Sequence, residues 1–471
     1  MADILLQQAY TRAMSTNNLY QRSIDRWRFL LDSYVGGEDY RRGAYLTRYQ
    51  LETDSEYSQR LRNTPLDNQC RSLISLYVSF IFRDDPEREF NAMDNDPTIE
   101  AILEDADLDG RSIDAFMKEA SIWASVFGHT WIVVSKPNVQ ALTLADEIAQ
   151  GVRPYLSIIT PLCVTDWRWE RQPNGSFELS YIKYVEEVND TVNVVKEWSK
   201  DVICTTVISL KDKVATDYYE EVNELGRLPF ICLYAERGIV RGLGMSLIED
   251  TADQQRAIYN ELSEVESSIR LDSHPSLVCT SDTNVGTGDG ALIHMPENMD
   301  PALKPYVLEF SGATVDSIYK SIEERKKMID SMASVGSIRV TETREMSGIA
   351  MQTEMTLLNA RLCSIADNIE LAEEQIWQEI YTYLGVQWDG TIDYPGNFAL
   401  HNLDNELDQL AKMKDLTANP LVQDAIDKKI AEILDIEQIE MEAGDVIEGE
   451  TIITPAGQVL PGPFADTAGM E

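Results

Sequence analysis

Apolar positions recur every three or four residues through the first 135 positions of the chain. Ile24, Trp27, Leu30 and Leu31 share one helical face, and so do Leu73, Leu76, Tyr77 and Phe80. Ile113, Phe116, Ala120 and Trp123 do the same within a helix expected from about Ser112 to Phe127. Gly36, Gly37 and Pro65 interrupt the pattern. From about residue 130 to 235 the period shortens. Trp131 to Val134, Leu156 to Ile159, Ser180 to Val185, Thr191 to Glu197 and Val202 to Ser209 are β-branched or aromatic runs, separated by turns such as Pro173-Asn174-Gly175. These runs predict a small antiparallel sheet inserted in a helical protein, an α+β fold.

Beyond the sheet the pattern predicts long helices. Met245 to Arg270 holds no proline or interior glycine and would span about 39 Å at 1.5 Å per residue. It stops at Ser273-His274-Pro275, and short β-like pieces rich in Gly and Pro run to residue 312. A second helix is expected from Ala313 to about Met332. A polar segment, Ala333 to Ser347, then separates it from a third helix, about Gly348 to Leu384, along which Ile349, Leu357, Leu358, Leu362, Ile365, Ile369, Ile376 and Ile380 recur near helical spacing. Short helices are expected over about Asn405 to Ile439, followed by a flexible acidic tail from Ala443.

Charge narrows the functional classes. The chain has 40 basic and 80 acidic residues among 471, a net of -40, which opposes adhesion to phosphate backbones and anionic lipid. An acidic wall suits a surface that a polyanion must pass without sticking. With 44% apolar residues the chain carries enough for a folded core, so disorder is expected to be local. Cys70, Cys163, Cys204, Cys232, Cys279 and Cys363 form no CxxC pair and read as reduced core residues of a cytosolic chain. Residues 1 to 30 carry no signal-peptide apolar region. The longest apolar run, Leu73 to Phe82, is broken by Ser75 and Ser79 and falls short of the roughly 18 residues a membrane span needs, so none is expected.

Candidate chemistry is sparse. Asp105-x-Asp107-x-Asp109-Gly110 resembles half of a calcium loop, but the twelfth position is Phe116 where a bidentate Glu is required; an acidic turn capping the next helix is the expectation. No GxxxxGK(S/T) loop exists to cradle ATP phosphates. The four histidines, His129, His274, His294 and His401, have no metal-ligand spacing, and Gly242 to Ser246 does not form a GxSxG nucleophile turn. Glu324-x-Lys326 reads as a charged helix face before it reads as half of a nuclease motif. No catalytic residue, metal or cofactor is assigned. The first long helix carries Glu249, Asp250, Asp253, Glu261, Glu264 and Glu266 against Arg256 and Arg270, a net of -4, whereas the second is neutral. The polar segment between the second and third helices holds Arg339, Glu342, Thr343, Arg344 and Glu345.

Three short strings give this order a family likeness. Ser347-Gly348-Ile349-Ala350-Met351 opens the third long helix, Leu228-Pro229-Phe230 ends a strand ahead of the first, and His274-Pro275-Ser276-Leu277-Val278 follows the first. With Trp27, Arg42-Gly43 and Tyr57 to Arg60 in the first half, the chain over residues 20 to 440 resembles the portal proteins of tailed bacteriophages. That resemblance implies a wing over 1-244 (helical 1-135, β-rich 136-235), a stem helix 245-270, a clip 271-312, a second stem helix 313-332, a tunnel loop 333-347, a spine helix with its return to the wing 348-400, crown-like helices 401-442 and a flexible acidic tail 443-471. It further implies a homo-oligomeric ring, dodecameric in the virion, at one capsid vertex. The ring passes double-stranded viral DNA during packaging and ejection, and it docks terminase, tail adaptor proteins and major capsid protein without performing chemistry. It resides in the virion, and in the host cytoplasm during assembly. Under that reading Glu249, Asp250, Asp253, Glu261 and Glu264 line the channel, and Arg339, Glu342, Thr343, Arg344 and Glu345 belong to the tunnel loop, where Arg339 and Arg344 touch phosphates in passing. The competing classes are a metal-dependent phage nuclease or other enzyme, and an acidic scaffold or other structural capsid component.

Overall fold

A computed structural model describes residues 2–137, 150–189, 191–273, 313–339 and 348–398 continuously, together with short strands within 276–308 and after 445 and residues 300, 413 and 423. The chain forms two compact units, Met1–Phe398 and Ala399–Glu471.

The first unit opens with five helices, α1 (Ala2–Met14), α2 (Asn18–Val35), α3 (Gly37–Arg42), α4 (Asp54–Asn63) and α5 (Gln69–Ile81). Short strand β1 (Glu87–Glu89) and helices α6 (Pro97–Glu104) and α7 (Ile113–Phe127) follow. Local chemistry sets their ends. Asn17 accepts the Leu19 amide at the start of α2, Thr53 and Glu56 form a reciprocal capping box on α4, Asp96 caps α6 with Pro97 in its first turn, and Ser112 caps α7. Gly128 ends α7 at φ +90°, and its backbone lies so close to that of Gly244 that a Cβ at either residue would collide with the other.

Strands β2 (His129–Ser135), β3 (Tyr155–Ile159), β4 (Val164–Arg171), β5 (Phe177–Asn189), β6 (Val192–Ser199), β7 (Val202–Ser209), β8 (Val214–Val222) and β9 (Phe230–Tyr234) make up the β region. They form two antiparallel sheets where the sequence suggested one small one: three strands in the order β3-β2-β9, and a five-stranded meander β4-β5-β6-β7-β8. The division has a physical basis. All of β2 from His129 to Val134 is buried, because α7 packs on it and the long spine helix packs on β2 and β9. The meander presents Trp167, Leu179, Ile182 and Tyr184 to the same core, while α1 covers its opposite face through Tyr10 and Ala13 against Val185, Val195 and Ile208.

Hairpin strands β10 (Glu236–Arg237) and β11 (Gly244–Met245) lead into α8 (Glu249–Ser273). The sequence placed the start of this helix at Met245. The structure moves it to Glu249, because Ser246 Oγ donates to the Val126 carbonyl at 2.7 Å and the Leu247 amide to the Ser125 carbonyl at 3.1 Å, which hold Ser246 and Leu247 in a non-helical turn beside the end of α7. After α8, strands β12 (Ser276–Val278) and β15 (Tyr306–Leu308) pair, as do β13 (Asn284–Val285) and β14 (Ile293–His294). The helix also ends later than the expected residue 270, so the first three residues of the expected clip, 271–273, belong to α8; the rest of it, these strands and Asp300 apart, lies outside the described residues.

Helix α9 (Ala313–Ala333), the single turn α10 (Gly336–Arg339) and the spine α11 (Gly348–Leu384) come next, then β16 (Thr391–Asp393), which pairs with β1. The spine has the length its periodicity predicts and buries Leu362, Ile365, Ile369, Ile376, Trp377, Ile380 and Tyr381. The polar segment expected over 333–347 thus begins with helical structure, and residues 340–347 lie outside the described residues.

Of the second unit, the described part is mainly a three-stranded antiparallel sheet, β17 (Val446–Glu448), β18 (Thr451–Ile453) and β19 (Val459–Pro461). The tail expected to be flexible therefore carries strands where β-branched residues cluster. Apart from Met413 and Gln423, the crown-like helices expected over 401–442 lie outside the described residues. The five described cysteines are free, and among the described residues no helix is long and apolar enough to cross a membrane.

Candidate channel-forming site: the paired long helices

α8 and α9 form a helix pair with its own apolar seam. Ile258, Ile322 and Ile329 are buried against each other, with Leu262 and Ile318 at the edge. Arg325 crosses the seam to Glu261, Nε to Oε1 2.9 Å, and Nη1 to Gln254 Oε1 at 3.1 Å, and Ser321 Oγ donates to the same Glu261 oxygen at 2.8 Å.

The other sides of α8 are heavily used. Gln255 is fully buried; it accepts the Cys70 amide at 2.9 Å and donates to the Ser33 carbonyl at 2.9 Å, tying α8 to α5 and α2. Asn260 accepts the Thr47 amide at 2.7 Å and donates to the Tyr45 carbonyl at 3.1 Å. Arg60 of α4 donates to Ser263 Oγ at 2.8 Å, pairs with Glu52 at 2.7 Å and lies 3.9 Å from the centre of the Tyr49 ring. The hydrogen bond from Arg60 holds the Glu52 carboxyl below the usual carboxylate range against the opposing effect of burial.

The five carboxylates of α8 singled out by sequence therefore occupy different surroundings. Glu249 and Asp253 both pair with Arg26 of α2, at 2.7 and 3.0 Å, and Asp253 also meets Arg256 at 3.1 Å. Burial opposes the charge on Arg26, but hydrogen bonds to Asp253 and Glu249 outweigh it and raise the guanidinium pKa. Glu261 sits in the seam with Arg325. Glu264 is exposed and accepts the Tyr49 hydroxyl. Asp250 is exposed at the rim of a cleft of about 560 Å³, which Trp27, Phe127, Met245, Met332 and Arg361 also line. The negative charge read from the α8 sequence is thus partly balanced within the chain by Arg26 and Arg325. No local pattern could have revealed this, since both arginines come from other helices.

α9 is more open, with Asp316, Lys320, Glu323, Lys327, Met328 and Met332 exposed. Of the expected tunnel-loop residues, Arg339 is described and its guanidinium is engaged by Asp330, Gln69 and Ser72; Glu342, Thr343, Arg344 and Glu345 lie outside the described residues.

The acidic turn before α7 is closed by its own chain. Asp105 Oδ1 accepts the Gly110 amide at 2.9 Å, Asp107 Oδ1 accepts the Asp109 amide at 2.9 Å, and the two carboxylates pair with Arg153 and Arg111 respectively. Among the described residues no group of three or more His, Cys, Asp or Glu side chains is arranged to hold a metal ion.

No family model matches the chain, and no curated protein matches it. Similar solved structures come from particle necks and virions. A chain of the "Neck of empty GTA particle computed with C6 symmetry" is 11% identical, with 83% of this chain and 99% of that chain covered and a TM-score of 0.46. A chain of the "Virion of native gene transfer agent (GTA) particle" is 9% identical, covering 85% and 98%, with a TM-score of 0.41. For the "Neck of native GTA particle computed with C12 symmetry" the figures are 11%, 74% and 86%, and 0.37.

Proposed function

We propose that this protein is a portal subunit, which assembles with copies of itself into a ring that passes double-stranded DNA at one vertex of a viral capsid. The observation that carries the reading is the order of elements in the first unit: a helical and β-rich body, the paired helices α8 and α9 on either side of a small strand module, then the elbow at α10 and the 37-residue spine α11. A module held between two long paired helices can project from a ring without a large core of its own.

In this reading residues 271–312 form the projecting clip that meets terminase and tail adaptor proteins. Carboxylates of α8 contribute to the channel wall, Asp250 and Glu264 most directly because both are exposed and lie outside the arginine ion pairs, with Glu249, Asp253 and Glu261 neutralised in part by their arginine partners. The segment with Glu342, Thr343, Arg344 and Glu345 narrows the passage. The ring is dodecameric in the virion, contacts major capsid protein and assembles in the host cytoplasm. Its work is mechanical, because DNA moving through a close-fitting ring must meet no adhesive electrostatic well, and carboxylates near the wall raise the energy of the polyanion everywhere. The test is direct: negative-stain images of the purified full-length protein are expected to show rings with a central hole, and a population of compact monomers without rings would refute the reading.

A further inference from the structure

The end of α9 is an elbow pinned to α5. Ser334 takes φ +56°, which reverses the chain after Ala333, and the Val335 amide returns to the Asp330 carbonyl at 3.0 Å. Ala333 and Val335 are buried. The Tyr77 hydroxyl of α5 donates to the Ala333 carbonyl at 2.6 Å, and Arg361 of α11 donates to the Met332 carbonyl at 3.0 Å. One turn later Arg339 closes the arrangement: Nη1 meets Asp330 Oδ1 at 3.0 Å, while Nη2 donates to Gln69 Oε1 at 2.9 Å and Ser72 Oγ at 2.8 Å. Gln69 is held in turn by Asp67, Nε2 to Oδ1 2.6 Å, and Asp67 pairs with Lys326 of α9 at 2.7 Å.

We infer that Arg339 is a positioning residue, clamping the α9–α10 elbow onto α5 through Asp330, Gln69 and Ser72, and that its charge is consumed there and does not serve a passing phosphate backbone. Two observations carry this. The guanidinium has three acceptors on two different helices, a geometry that fixes its plane as a single ion pair would not. The cluster of Arg339, Lys326, Asp330 and Asp67 is also neutral, so it offers no net attraction to a polyanion. The functional meaning of the clamp rests on the portal reading: it fixes the root from which the polar segment 340–347 departs, and Asp67, Gln69 and Asp330 become part of the channel machinery although none is expected at its wall.

The experiment uses the full-length protein and two readouts. In the first, phenylglyoxal modification is followed by mass spectrometry at Arg339 and at Arg28, whose side chain is 65% exposed. Arg339 is expected to react about tenfold more slowly than Arg28, and Asp330→Ala to remove most of that difference. In the second, hydrogen exchange is measured at the Val335 and Arg339 amides. Arg339→Ala is expected to speed exchange there by about tenfold without altering α7 or α11, and the charge swap Arg339→Asp with Asp330→Arg to restore much of the protection. Wild-type Arg339 reacting as fast as Arg28, or a swap no better protected than Arg339→Ala, overturns the clamp. Should Arg339→Ala fail to fold, the comparison of Asp330→Ala with wild type decides alone. Absence of rings on the grid would refute the portal reading and leave this result standing, so the two failures are distinguishable.

Discussion

His129 sits within the core beside Trp27, Trp131 and Tyr234, with Nδ1 accepting the Gly244 amide at 3.4 Å and no partner for Nε2. Burial pushes its pKa down to about 3. The folded value lies below the unfolded one, so the unfolded chain binds the proton first; the stability this histidine contributes is present above about pH 6.5 and is lost progressively as pH falls toward 3. Denaturant midpoints at pH 7 and pH 5 are expected to show that His129→Phe loses about 2 kcal/mol less than wild type over that interval. An identical pH dependence in the two proteins would contradict the assignment. Arg88 and Glu373 are a second case in which burial sets the energetics. Glu373 is fully buried, pairs with Arg88 at 2.6 Å, and accepts from Trp377 and Tyr394, while Arg88 reaches Asp114 at 2.8 Å. Arg88→Met is expected to cost about 3–5 kcal/mol in chemical denaturation because a buried carboxylate loses its counter-charge, and the double variant Arg88→Met with Glu373→Leu to cost less.

Among the elements, α1 is held by an unusual mixture of forces. Its apolar contact is small, centred on Ala13 with Val195 and Ile208. Polar groups secure its end: Lys183, 1% exposed, donates to the Arg12 carbonyl at 2.9 Å, which also accepts the Ser15 amide and hydroxyl, and to the Ser15 carbonyl at 2.6 Å just past the last turn. Arg12 meets Glu197 at 3.1 Å and the Tyr218 hydroxyl at 2.9 Å. Lys183→Met is therefore expected to loosen α1 by about 1–2 kcal/mol while the rest of the unit stays folded. Limited trypsin digestion would then cut after Arg12 faster in the variant, with the remaining fragment as resistant as before. The same logic explains α8. Its polar positions look like a solvated face in sequence, yet Gln255, Ser263 and Glu261 are spent on α5, α2, α4 and α9.

For the whole molecule, the net charge of -40 acts through the exposed carboxylates, not through the paired ones. Reversing Glu249 or Asp253 would set a cation against Arg26 and disturb the fold itself. Asp250 offers a cleaner test. On the portal reading, Asp250→Lys is expected to leave rings intact in negative stain but to make them retain short duplex DNA at low salt, with retention falling as ionic strength rises because screening tightens to roughly 8 Å at physiological salt. Rings of the variant that retain no more DNA than wild type would remove Asp250 from the channel wall.

The sequence by itself determined what depends on neighbours along the chain. The 3.6-residue period and the absence of glycine or proline placed α8, α9 and α11 within a few residues, the turn signals separated the strands, and the helix expected over about Ser112 to Phe127 is α7. The α+β class follows from those local patterns. Only the tertiary structure decided which charges are free. Arg26 lies 223 residues from Glu249, Arg325 lies 64 from Glu261, and Arg339 lies 270 from Gln69. A carboxylate that will be paired and one that will face solvent have the same side chain and the same helical spacing, so their roles diverge only when packing brings distant helices to hydrogen-bonding distance. The start of α8 and the splitting of the β region into two sheets have the same cause: contacts with α7 and α11, made across the fold, override what the local pattern prefers.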